Sequence, residues 1–264
     1  MNNIIDNFSK ILNFAKSYNL PINKKRAIIR EYLQSKIIEI IYSKKESRDI
    51  IFIGGTSLRL LNNLDRFSED LDFDLGKNIN IKAIGNLMNE VISKLKKENY
   101  AVELYKNKKE KKTYYELRFS KLLSQLNITQ DKEEKLMIKF DFEKRWKDHN
   151  KEIVLFNRYG FLARIVTASL DNILVQKLVA YTKRRQTMTR DIYDLVWLMK
   201  NEVKFDKSFA LKNRFDQSIM IFAYKKYERE KSKINIYAKR LKPFLINEDN
   251  VDKIKFFSEL IKSL

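Results

Sequence analysis

Three aspartates at alternate positions, Asp70, Asp72 and Asp74, fall in the segment Arg66-Phe-Ser-Glu-Asp-Leu-Asp-Phe-Asp74. Alternation is the period of a strand, so the three carboxylates share one face while Leu71, Phe73 and Leu75 share the other. Neighbouring Cα atoms on one face lie roughly 6–7 Å apart. Carboxylates this close repel one another unless cations lie between them, a role that suits divalent ions about 3.5–4 Å apart. The plainer reading is a solvated strand face. Against it, acidic residues are poor strand formers, and the chain is short of them, with 34 Asp+Glu against 54 Lys+Arg.

A third carboxylate on a neighbouring strand would complete such a site. In Met137–Glu143, residues Ile138, Phe140 and Phe142 fall on one face and Lys139, Asp141 and Glu143 on the other. Asp141 is the better candidate, because its strand runs longer on both sides. Upstream, a β-rich run ends at Gly54-Gly55-Thr56 and a helix follows. Glycines allow a tight turn and close backbone approach, and a helix N-terminus offers N–H groups to phosphate. Taken alone, a glycine pair is as consistent with an ordinary turn. Further along, Leu170, Ile173, Leu174, Leu178 and Tyr181 form an apolar stripe with Lys177 in its middle. A lysine there must snorkel or meet a carboxylate or phosphate. Arg190-Asp-Ile-Tyr-Asp194 opens the next helix, and its Asp191 and Asp194 are i, i+3 neighbours. A structural ion pair between Lys177 and one of these aspartates is the alternative to a phosphate role.

The elements that must position these residues can be read coarsely. Helical spacing covers about 2–18 and 24–43, with Ile28, Ile29, Tyr32, Leu33 and Ile37 on one face of the second helix. Residues 49–53 read as a strand, 56–62 as a helix start, 70–75 as a strand and 81–97 as a helix. Strands follow near 101–105 and 113–119, with the basic run 106–112 as a solvated hairpin tip. Residues 135–143 and 153–156 read as strands, and from Ser169 onward the chain reads as helical. The expected organisation is a mixed α/β part over 1–165 and a helical part over 166–264.

Composition narrows the chemistry. The chain of 264 residues has no Cys and a single His, His149, so thiolate and multi-histidine metal centres are excluded. Oxygen ligands remain, and these suit Mg²⁺. A net charge of +20 favours a polyanionic partner, although a lysine-rich proteome would produce the same excess. The first residues, MNNIIDNFSK, lack a basic start followed by a long apolar run, and no stretch approaches a membrane span of about twenty apolar residues. A cytoplasmic protein is expected.

The ordered set GGTSLRLL, RFSEDLDF and QKLVAYTKRRQTMTRDIYDL resembles the AbiEii/AbiGii family of nucleotidyltransferase toxins, of type IV toxin–antitoxin and abortive-infection systems. The resemblance runs from about Gly54 to Leu195. It implies an α+β fold like that of polymerase beta, a mixed sheet flanked by helices with a helical C-terminal part. It also implies Mg²⁺ and a nucleoside triphosphate. Gly55 and Thr56 match the family's Gly-Ser/Thr that contacts phosphate, and Ser68, Asp70 and Asp72 match the S-x-D-x-D segment. Lys177 matches the essential lysine, Asp191 the aspartate of the R-D-x-x-D segment and Asp194 its second acid. Asp74 falls outside the matched motif. Catalytic Asp70, Asp72, Lys177 and Asp191 are thus expected, with Gly55, Thr56, Ser68 and Lys177 on the nucleotide and Asp70, Asp72 and Asp141 on the metal. The acceptor implied is RNA, foremost the 3′ end of tRNA, and a cognate antitoxin is implied as partner. Transfer to a protein or small molecule, and a non-catalytic RNA-binding module, are the alternatives.

Overall fold

Asp70–Leu75 forms the central strand of a seven-stranded mixed sheet. The structure, a computed structural model, describes residues 4–79, 81–109 and 112–264. In chain order the elements are α1 (Phe8–Ser17), α2 (Lys25–Tyr42), β1 (Ile50–Ile53), α3 (Gly54–Asn62), β2 (Asp70–Leu75), α4 (Ile81–Lys97), β3 (Val102–Lys109) and β4 (Lys112–Phe119). Then come α5 (Leu122–Gln125), β5 (Leu136–Glu143), β6 (Lys151–Arg158), β7 (Phe161–Ala168) and α6 (Leu170–Lys183). The remainder is helical, with α7 (Thr189–Lys200), α8 (Lys207–Lys212), α9 (Ser218–Glu230), α10 (Ile234–Leu241) and α11 (Phe257–Leu260), and with 3₁₀ segments between α9 and α10 and between α10 and α11.

The described chain divides into two compact units. One comprises residues 1–61, 67–145 and 153–167; the other comprises 62–66, 146–152 and 168–264. The sheet order is β3-β4-β5-β2-β1-β7-β6. β2 pairs antiparallel with β1 and parallel with β5, while β1 pairs parallel with β7. One face of the sheet is core. Phe52, Phe73 and Phe142 lie side by side on β1, β2 and β5 and stack, with centroids 5.3 and 4.9 Å apart. Each such buried ring is worth about 1.5–3 kcal/mol, and together they lock the register of the three strands.

Several expectations change. The first helix begins at Phe8, with 4–7 in turns, and residues 1–3 lie outside the described residues. The basic run 106–112 does lie at the far end of a hairpin, but most of it is strand and not loop. Residues 106–109 continue β3 and Lys112 opens β4, because the hairpin's cross-strand pairing persists to Lys109 opposite Lys112. Glu110 and Lys111 lie outside the described residues. The strand near 153–156 is longer, and β7 was not anticipated. Its last four residues are all buried, so the polar–apolar alternation that marks a half-exposed strand fades. Helix α6 is buried over more than a stripe, with Asn172, Val175, Gln176 and Val179 also inside.

Candidate active site

The carboxylates of β2 stand on the face opposite the phenylalanine ladder. Register places Asp72 directly beside Asp141 of β5, and Asp70 beside Lys139. The row continues across β4, where Tyr114 lies beside Asp141 and Glu116 beside Lys139. Asp70, Asp72 and Asp141 are each partly exposed, while Leu71 and Phe73 between them are buried. Asp74 differs from its neighbours in kind. It is 1% exposed and accepts the backbone N–H of Arg145 at 2.9 Å, so it anchors the chain leaving β5.

Gly54 explains how Asp72 approaches the first turn of α3. Its φ is +82°, and a Cβ built there would stand 2.9 Å from the Asp72 Cγ. The helix therefore begins at Gly54 itself instead of after a glycine turn, and the Asp72 carboxylate lies against its N-terminal backbone, where a negative charge is favoured. Gly55 and Thr56 are buried in that first turn. The Thr56 hydroxyl donates to the Asp70 carbonyl, which ties α3 to the start of β2. Ser68 is partly exposed, and its carbonyl and that of Glu69 accept from the Gln34 side chain of α2 at 3.2 and 2.9 Å. The coil entering β2 is thus fixed from two sides, by α3 and by α2.

Tyr114 was not singled out by the sequence. Its hydroxyl donates to Glu116 at 2.7 Å, and Arg118 holds the other oxygen at 2.5 Å. Burial, the Glu116 hydrogen bond and the charges of Glu116, Asp70 and Asp141 all raise the Tyr114 pKa. The phenol therefore stays protonated at the border of the carboxylate row. Burial raises the Glu116 carboxyl, but Tyr114, Arg118 and Lys139 outweigh it and hold the group below its usual range.

Among the described residues, no three His, Cys, Asp or Glu side chains gather closely enough to hold an ion as they stand. The donor set nevertheless fits a hard divalent cation in kind: carboxylate oxygens on one face, two of them in register, with Asp72 set in the cradle that Gly54 leaves open.

A second constellation lies within the other unit. Asp194 is fully buried and accepts from Arg66 through two bonds, Nε at 2.6 Å and Nη2 at 2.7 Å. Lys177 reaches the same aspartate at 2.6 Å and Asp191 at 3.5 Å. Asp191, in the first turn of α7, also pairs with Arg184. Burial raises the Asp194 carboxyl, yet Arg66 and Lys177 outweigh it and hold the group low. Lys177 is therefore shared between both aspartates, with Asp194 the nearer. Arg66 was inside the sequence motif without a role; its two parallel bonds to Asp194 are the geometry that only guanidinium offers a carboxylate. Three cations share two carboxylates in this cluster.

Comparison with known proteins agrees with this architecture. Over 90% of its length the chain is similar to JHP933 of Helicobacter pylori, at 20% identity, 92% coverage of that chain and a TM-score of 0.55. It is similarly close to an H. pylori structure described as a nucleotidyltransferase, at 22% identity, with 90% of this chain and 95% of that one covered and a TM-score of 0.57. These likenesses establish a nucleotidyltransferase-like α+β fold. No curated protein matches the chain. The family described as nucleotidyl transferase AbiEii toxin, type IV toxin–antitoxin system, matches residues 39–258. The chain belongs to that family of nucleotidyltransferase toxins.

Proposed function

We propose that this nucleotidyltransferase toxin moves a nucleotide from a nucleoside triphosphate onto RNA, at the 3′ acceptor end of tRNA, and so blocks translation in the cytoplasm. The observation that carries this reading is the carboxylate row: Asp72 in register with Asp141 and flanked by Asp70, against the first turn of α3. Asp70, Asp72 and Asp141 are the residues to hold Mg²⁺. When bound, that ion supplies charge stabilisation for the triphosphate and the departing pyrophosphate.

The protein's own groups do the remaining work. The backbone N–H groups of Gly55 and Thr56 face phosphate oxygens, because the Thr56 hydroxyl is committed to the Asp70 carbonyl. Ser68 contributes a further phosphate contact. Lys177 serves as the phosphate-binding cation, with Asp191 and Asp194 holding its ammonium. In the transfer, an RNA hydroxyl oxygen bonds to the α-phosphorus while the bond from that phosphorus to the bridging oxygen breaks. Pyrophosphate leaves with the electron pair, and the hydroxyl proton passes to a carboxylate of the set. The family's type IV toxin–antitoxin setting implies an antitoxin as partner.

The test is transfer of label from each NTP to total tRNA with Mg²⁺ present. Wild type is expected to label RNA, and Asp70→Asn to lose about a hundredfold or more of the rate. Label that resists nuclease and yields to protease would move the acceptor to protein. Equal labelling by wild type and Asp70→Asn would refute the assignment of the carboxylates.

A further inference from the structure

The second unit holds a groove that the chemistry above does not use. Helix α9 buries Ile219, Ala223, Lys226 and Tyr227. The face beside these presents Phe222, Lys225 and Arg229 at i, i+3 and i+7, a spacing that sets them along one stripe. Phe222 is 56% exposed. The last turn of α6 adds Lys183, and these side chains line a cavity of about 640 Å³. That lies within the roughly 300–1,000 Å³ of sites that bind small molecules. The two helices are fixed together by the buried Lys226, whose ammonium donates to the carbonyls of Tyr181 and Arg184 at 2.7 and 2.8 Å.

The charges of the groove are uncompensated. Among the described residues, no carboxylate lies within ion-pair distance of Lys183, Lys225 or Arg229, and Glu228, the acid on the wall, is 3.6 Å from Lys231. The cations of the cluster around Asp191 and Asp194, by contrast, all have carboxylate partners. An exposed ring flanked by cations that no carboxylate neutralises is the pairing that single-stranded nucleic acid needs: a π-face for a base, with charges for the phosphates on either side. An acidic peptide would use the charges and leave the ring idle.

We infer that this groove binds an unpaired stretch of RNA, with a base stacked on Phe222 and its phosphates on Lys183, Lys225 and Arg229. The choice of RNA over DNA rests on the proposed transfer to RNA; the choice of a single strand rests on the groove itself.

The test is fluorescence anisotropy of the full-length protein with a short unstructured RNA and with an RNA duplex of equal length. Phe222→Ala is expected to weaken the unstructured RNA by about tenfold and the duplex by about twofold at most, with Phe222→Tyr restoring the loss. Lys225→Glu combined with Arg229→Glu should flatten the plot of log Kd against log salt by about 1.4, the share of two single-strand phosphate contacts. These side chains are exposed, and unchanged thermal melts would certify the variants as folded. The inference is overturned if Phe222→Ala binds unstructured RNA like wild type, or loses single strand and duplex equally. It is also overturned if polyglutamate binds as tightly as RNA and is lost in the same variants, which would assign the groove to an acidic protein. Transfer assays on the same samples keep the two readings apart. Groove-dependent binding without transfer by wild type refutes the transfer alone; transfer by wild type with binding indifferent to Phe222 refutes the groove alone.

Discussion

At the scale of single residues, Gly54 and Asp194 carry the sharpest consequences. Gly54 combines a left-handed backbone with a position that a Cβ would contest with the Asp72 side chain. Either the backbone or the carboxylate must move in Gly54→Ala, so the variant should lose about 1–3 kcal/mol in urea unfolding. An unchanged midpoint would mean that Asp72 does not lie against this turn. Asp194→Asn would leave Arg66 and Lys177 without their shared charge, at a cost of about 3 kcal/mol or more. Its pH dependence has a definite sign. Asp194 is held low because Arg66 and Lys177 outweigh its burial, and Glu31 because Arg59 and Arg158 outweigh its own. A carboxyl whose folded pKa is depressed stabilises fully above its unfolded value and loses that contribution as pH falls through the folded one. The wild-type urea midpoint should therefore fall as pH drops below about 4, and fall less steeply in Asp194→Asn.

Elements are held in place by polar contacts that their own sequences do not advertise. The Tyr42 hydroxyl, at the end of α2, donates to the carbonyl of Ile50 at 2.9 Å and lies 3.1 Å from that of Val166. Thr167 donates to the Phe52 carbonyl at 2.7 Å. These contacts join α2, β1 and β7, the framework on which β2 rests. Tyr42→Phe should cost about 1–2 kcal/mol in thermal or urea unfolding, because it removes a buried donor while preserving the ring. Helix α3 is fixed likewise, by Arg59, whose guanidinium meets the buried Glu31 at 2.7 Å. Arg158, at the end of β6, reaches the same carboxylate at 2.8 Å. The motif GGTSLRLL thus contains both the glycine that admits Asp72 and the arginine that seats the helix.

At the scale of the whole molecule, a net charge of +20 makes any contact with RNA dependent on salt. Affinity for unstructured RNA should fall by about tenfold or more between 50 and 200 mM monovalent salt, as three phosphate contacts require. No helix among the described residues is long and apolar enough to cross a membrane. Much of the fold was legible in the sequence because its signals are local. Period-two alternation marks β2 and β5 and assigns their faces, and helical spacing marks α2 and α4. The hairpin's true length and β7 were not legible, since cross-strand pairing carried the first past a polar run and burial erased the alternation of the second. Spacing alone offered Asp70, Asp72 and Asp74 alike, with Asp141 on a second strand and Lys177 in an apolar stripe; only the family motif set Asp74 apart. The neighbours of these residues were not legible. That Asp72 stands beside Asp141, with Tyr114 next in the row, follows from strand register. That Arg66 grips Asp194 across 128 residues follows from the packing of the second unit. Sequence by itself determined which groups are available and which face each presents, because those depend on backbone period. Tertiary structure alone decided which charges meet, because ion pairing and register depend on distances that no local pattern encodes.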